Sequence, residues 1–170
     1  MGVLIFTKDL KASVQCSRVA KTANRVLGMI IRTFTCKDEL TIIQIYKSLV
    51  RPHLEYCVQA WRPSLIKDIE MSEKIQRCAT STVNSVHDLT NKRRLRRLNI
   101  TALVTRRLTG DSIKVFKIVK GFDNVDYLGF IHLSTTGLRD QSLKLFKPSV
   151  KRNVEKYTFS NRVIDSRIVC

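Results

Sequence analysis

Lys11–Phe34 reads KASVQCSRVAKTANRVLGMIIRTF, and this stretch decides the fold. At about 100° per residue, Cys16, Ala20, Ala23, Val26, Leu27, Ile30 and Phe34 gather on one side. Lys11, Arg18, Arg25 and Arg32 recur every seven residues, with Lys21 among them, and project roughly opposite that stripe. The spacing predicts a helix with one core face and one cationic ridge. Gly28 lowers local helix propensity by about 1 kcal/mol relative to Ala and is read as admitting a close helix crossing. A solvated surface face would show the same ridge.

Downstream, Thr35-Cys36-Lys37-Asp38 has the form of a capping box that starts a second helix. Leu40, Ile43, Tyr46, Leu49 and Val50 follow at helical spacing. Pro52 lacks an amide hydrogen and clashes with the preceding turn, so it kinks or ends that helix. Leu54–Trp61 resumes a helical phase, and Pro63-Ser64 separates it from a helix over Leu65–Val86 with Ile69, Ile75, Ala79, Val83 and Val86 inward. Between Thr35 and Gln76 six basic residues face six acidic ones, as on an ordinary bundle surface.

That balance breaks between Asp88 and Lys120, which hold ten basic residues and two acidic ones. Asn91–Leu98 reads NKRRLRRL, and a helix is predicted from about Thr101 through Lys120, stopping at Gly121. Leu103, Leu108, Val115, Phe116 and Val119 are assigned to its core face, and Arg106, Arg107, Lys114, Lys117 and Lys120 to the outside. Gly2–Phe6 reads as a short β stub. Tyr127–Leu133 is an apolar patch, and Ser142–Phe146 and Val154–Phe159 are paired as a hairpin.

The 170 residues carry 31 Lys plus Arg against 14 Asp plus Glu, a formal net charge of +17. With 44% hydrophobic residues the chain is no disordered polycation, so the charge sits on a folded surface. Such a surface points to polyanions, nucleic acid first and acidic membranes second. The longest uninterrupted apolar run, Val3–Phe6, is far short of the roughly 20 residues of a membrane span. No secretory signal is read at the N-terminus. Cys16, Cys36, Cys57, Cys78 and Cys170 are odd in number, widely spaced and without a CxxC pair, which suggests reduced, mostly buried thiols in an intracellular, or nuclear, protein.

Catalytic constellations are sparse. Two-metal nucleotidyl transfer needs clustered carboxylates, and no two Asp are adjacent here. Asp38-Glu39 is accounted for by the capping box. His53 and Cys57 stand four apart and could share a metal, but no second ligand pair follows at finger spacing, so a buried thiol beside a partly exposed imidazole is preferred. His87 and His132 stand alone. No Gly-rich phosphate loop or nucleophile turn occurs, and no cofactor or metal is expected. What remains is binding. Arg93, Arg94, Arg96 and Arg97 with the following helix can reach consecutive phosphates, and Arg adds bidentate contacts that Lys cannot make. Tyr46, Tyr56 and Trp61 could stack on bases, but filling the bundle is the simpler reading.

Lys47–Trp61 stands as KSLVRPHLEYCVQAW, preceded by ANRVLGMIIRTF and followed by DSIKVFKIVKGFDNVD and SLKLFKP. With these strings the chain resembles the region just downstream of the catalytic palm in reverse transcriptases of non-LTR retrotransposons, the jockey-like and chicken-repeat-like groups above all. The resemblance runs from Gly2-Val3 through Arg162–Asp165. It implies that GVLI is the palm's last strand and that the following helices form the thumb and C-terminal extension, which grip the template-primer duplex. It also implies that the catalytic Asp-Asp motif and the endonuclease lie outside this chain, so no catalytic residue carries over. The final SRIVC departs from the family's ending, and a fragment or remnant is implied.

The expectation is therefore a mainly α, thumb-like helical bundle with an N-terminal β stub and a small C-terminal part with a hairpin. Residues 1–122 form the helical domain and 123–170 a weakly structured basic extension. The expected role is sequence-tolerant binding of an RNA or RNA–DNA duplex by phosphate contacts from Arg18, Arg25, Arg32, Arg93, Arg94, Arg96, Arg97, Arg106 and Arg107, without membrane association. A helical protein-interaction module with a basic face, or a full reverse transcriptase truncated as a gene model, are the alternatives.

Overall fold

The structure, a computed structural model, describes residues 12–123, 125, 146, 149 and 157–165. The described residues are mainly helical and contain no strand. The N-terminal β stub, the Tyr127–Leu133 patch, Lys11, His132 and Cys170 lie outside them, as does most of the C-terminal hairpin. At its described end Phe159 opens a helix where a strand was expected.

The first helix, α1 (Ser13–Thr33), follows the predicted phase: Cys16, Ala20, Ala23, Leu27 and Ile30 are buried. Phe34 is extended and exposed, because the chain has already left the helix. Gly28 does not mark a close crossing, since a Cβ built there meets open space.

The second helix, α2 (Glu39–Ile45), is capped by Asp38 and not by Thr35. Asp38 accepts the Thr41 amide at 2.9 Å, and this bond holds its carboxyl below the usual value. A π turn follows over Tyr46–Val50, closed by the Arg51 N–H donating to the Tyr46 carbonyl, and α3 (Arg51–Glu55) takes Pro52 into its first turn. The wider turn is where the ladder adjusts to a residue that has no N–H to donate. Ile43, Tyr46, Val50 and Leu54 are buried, whereas Leu40 and Leu49, expected inside, are 83% and 48% exposed.

Leu54–Trp61 is not one helix. Cys57 takes φ 48°, in the left-handed region, and separates α3 from the short α4 (Val58–Trp61). His53 and Cys57 therefore share no continuous helix face, and both are exposed. The thiols are not mostly buried either: Cys16 is, but Cys36, Cys57 and Cys78 are exposed.

Next, α5 (Ile66–Ser81) packs on α1, and the two begin side by side, with Ser13 Oγ donating to Asp68 Oδ2 at 2.6 Å. A 3-10 turn at Asn84–Val86 buries Val83 and Val86 beside it. The short α6 (Asn91–Arg97) packs on α5, and α7 (Leu103–Val119) begins with Leu103 in the same core.

Two compact units result, Met1–Arg106 and Arg107–Cys170. The division falls inside α7, upstream of the boundary expected at 122/123. In the second unit Val115 and Ile118 of α7 pack with Val163 of α8 (Phe159–Asp165). There the buried carboxylate of Asp111 receives Arg162 as a fork, Nε to Oδ2 at 3.1 Å and Nη2 to Oδ1 at 3.3 Å.

Candidate nucleic-acid interface

The ridge on α1 is present. Arg18, Lys21, Arg25 and Arg32 are all exposed, and the helix contains no Asp or Glu to neutralise them. Seven residues advance a helix by about 10.5 Å and return nearly to the same face, so Arg18, Arg25 and Arg32 form one line. Arg18, Lys21 and Arg25 border an open trough together with Ser13, Val14, Ser17 and Thr22. Three cations and the hydroxyls of Ser17 and Thr22 thus flank one surface, a suitable lining for oxygen-rich anions, whereas the Ser13 hydroxyl is given to Asp68. Arg32 stands further along and bends back, its Nε donating to the Gly28 carbonyl at 3.1 Å.

The NKRRLRRL segment forms a helix, but its arginines divide. Lys92, Arg93, Arg96 and Arg97 are exposed on α6. Arg94 is only 9% exposed and lies one turn before buried Leu98. It occupies the inward face, with its Nε lacking a hydrogen-bond partner among the described residues. Arg94, expected to contact phosphate, is instead nearly buried on the same face of α6 as Leu98, a position that its long aliphatic stem makes workable for Arg. Lys92, absent from the expected contacts, joins the outward set. Arg96 and Arg97 in the last turn also complement the helix dipole, which stabilises α6 whether or not an anion binds.

The two arginines of α7 are likewise not free ridge residues. Arg106 donates from Nε to Glu55 Oε1 at 2.6 Å and from Nη2 to Glu55 Oε2 at 3.2 Å. That pairing raises the guanidinium pKa further, against the opposing effect of partial burial. Arg107, expected outside, is 2% exposed. The buried positions on α7 are Leu103, Arg107, Asp111, Val115 and Ile118, a stripe at spacings of four and three that carries two charged residues inward. Phe116, expected inside, is exposed on another face.

Polar side chains from α5 fix the start of α7. Tyr46 Oη donates to Gln76 Oε1 at 3.0 Å, and Gln76 Nε2 donates to the Thr101 carbonyl at 3.2 Å. Glu73 Oε1 accepts the Val104 amide at 3.0 Å and so caps α7 from a distant helix. Burial holds the Tyr46 hydroxyl well above its ordinary pKa. Tyr46 and Trp61 fill the bundle, and Trp61 Nε1 donates to the Tyr56 carbonyl at 2.7 Å; the Tyr56 ring is exposed. Among the described residues no three His, Cys, Asp or Glu stand together as a metal site. No described helix is long and apolar enough to cross a membrane.

Two clusters of outward cations therefore stand on the first unit: Arg18, Lys21 and Arg25 on α1, and Lys92, Arg93, Arg96 and Arg97 on α6. Compared with known proteins, the chain matches no family model, no curated protein and no solved structure.

Proposed function

We propose that the chain binds the backbone of a nucleic-acid duplex without regard to sequence, as the segment after the palm of a non-LTR-type reverse transcriptase would. The observation that carries the reading is the α1 ridge: Arg18, Lys21 and Arg25 lie along one trough, on a helix without a single carboxylate. Cations aligned this way repel one another; bound phosphates relieve that repulsion, and the cations in turn release counterions condensed on the duplex. The outward set on α6 supplies further phosphate contacts. Tyr46 and Trp61 are enclosed, so the proposed contacts of the first unit are charged ones. Phosphates carry no base identity, which makes the binding sequence-tolerant.

Titration of labelled RNA–DNA hybrids at several salt concentrations tests this. Three contacts give a log–log slope of roughly −2.7, at about −0.9 per phosphate on B-form duplex. Changing Arg18, Lys21 and Arg25 together to Gln is expected to make the slope shallower by about one unit per lost contact, equally for unrelated sequences. An unchanged slope would reduce the ridge to a solvated face.

A further inference from the structure

Helix α7 ends in a Schellman motif. Gly121 takes φ 73°, its N–H donates to the Ile118 carbonyl at 3.1 Å, and the Phe122 N–H donates to the Lys117 carbonyl at 2.8 Å. The reversal brings Phe122 back toward the last turn. Its ring centroid lies 6.4 Å from that of Phe116, with the planes 30° apart. An apolar contact of this kind commonly closes the motif. A closing contact alone would shield its rings, yet Phe116 is 54% and Phe122 73% exposed. Ile113, Phe116, Lys117 and Lys120 follow at i, i+3, i+4 and i+7, so one exposed face carries aromatic and cationic groups together. Lys114 is engaged elsewhere, its Nζ 3.0 Å from Asp123 Oδ2.

We infer that Phe116 and Phe122 form a stacking platform for an unpaired base of a single nucleic-acid strand, with Lys117 and Lys120 holding the adjoining phosphates. Stacking on an aromatic face tolerates any base, and lysines beside it track the backbone. A protein partner fits less well, because the centres of protein interfaces are depleted in lysine, and here two lysines share the face with the rings. The inference rests on the nucleic-acid reading above and adds unpaired bases to the duplex.

The experiment compares single-stranded oligonucleotides with duplexes for the whole chain and its variants. Phe116→Ala and Phe122→Ala are each expected to weaken single-strand binding by about 5- to 150-fold, the loss of one stacking contact, and to leave duplex binding and its salt slope unchanged. Phe116→Leu keeps an apolar contact for Phe122 and removes the stacking ring, so it should lose the same affinity without loss of thermal stability. Phe122→Trp should keep the affinity and report it by fluorescence quenching, since Trp61 is buried away from solvent. Wild-type duplex binding combined with undiminished single-strand binding by the Phe variants would overturn the platform alone. A wild-type chain that binds neither form would overturn the underlying reading with it.

Discussion

The guanidinium of Arg106 closes on the carboxylate of Glu55 through two bonds, at 2.6 and 3.2 Å, and so joins the first turns of α7 to the end of α3. Both side chains keep partial contact with solvent, which screens the pair. A planar fork on a carboxylate nevertheless exceeds an ordinary surface ion pair in geometry and strength. Arg106→Gln is expected to cost about 1 kcal/mol of stability, and a double-mutant cycle with Glu55→Gln should recover most of that as coupling. The same variant should leave the salt slope of duplex binding unaltered. Urea unfolding and the titration together check it, and a shallower slope would return Arg106 to the phosphate contacts.

Gly28 illustrates how local freedom was misread as packing. It lies inside α1 at ordinary helical angles, and a methyl group added there meets nothing within 4 Å. Gly28→Ala should therefore stabilise the chain by about 0.5–1 kcal/mol, mostly by restricting the unfolded state. A thermal melt reads the change, and destabilisation would mean that another segment approaches this face.

Around the π turn, neighbouring residues are expected to behave oppositely. Leu54 is fully enclosed in the core, and Leu54→Ala should cost about 2–5 kcal/mol. Leu49 points outward, and Leu49→Ala should cost less than about 0.5 kcal/mol. Equal losses in denaturant would mean that Leu49 is enclosed in the core as Leu54 is.

These residues also mark what the sequence could and could not reveal. The α1 stripe was legible because an unbroken helix keeps one phase over 21 residues. Leu49 was misplaced because it adjoins Val50 and only one of the two can join the line of Ile43, Tyr46 and Leu54; the spacing of four from Tyr46 through Leu54 selects Val50. Arg94 and Arg107 were misplaced for a different reason. Charge alone assigns a residue to the outside, whereas the position on the helix assigns both of these to the inside, in register with Leu98 and with Leu103. Reading position before charge would have separated Arg94 from its neighbours. The cap from Glu73 to Val104 spans 31 residues, a distance over which sequence spacing carries no signal.

Tyr46 gives the fold a dependence on alkaline pH. Its hydroxyl is neutral, buried and bonded to Gln76, and its pKa is raised above the unfolded value of 10.0. The folded state thus holds this proton where the unfolded state releases it. The contribution is complete below pH 10.0 and is lost as the pH rises above it, at up to about 1.4 kcal/mol per pH unit. Tyr46→Phe should cost about 1–3 kcal/mol near neutrality, because Gln76 Oε1 loses its donor. The gap between wild type and Tyr46→Phe should then narrow above pH 10.0, as measured by denaturant unfolding across the alkaline range. A constant gap would mean that Tyr46 reaches solvent.

The sharpest contrast lies within α6, where adjacent arginines face opposite ways. Arg93 and Arg97 are exposed, and Arg94 is directed inward with Leu98. Gln keeps a similar helix propensity and removes the charge, so the three single substitutions differ mainly in where the charge was. Arg93→Gln and Arg97→Gln should each make the duplex salt slope shallower by about one unit and leave stability within about 0.5 kcal/mol. Arg94→Gln should do the reverse, with the slope unchanged and the unfolding midpoint shifted, because it shortens a nearly buried side chain on the same face as Leu98. Charge count would predict three equal losses of slope, since each variant removes one positive charge. The orientation of α6 predicts two losses and one shift in stability. If Arg94→Gln flattened the slope as much as its neighbours do, the helix would be rotated from the orientation described, and Arg94 would return to the phosphate contacts.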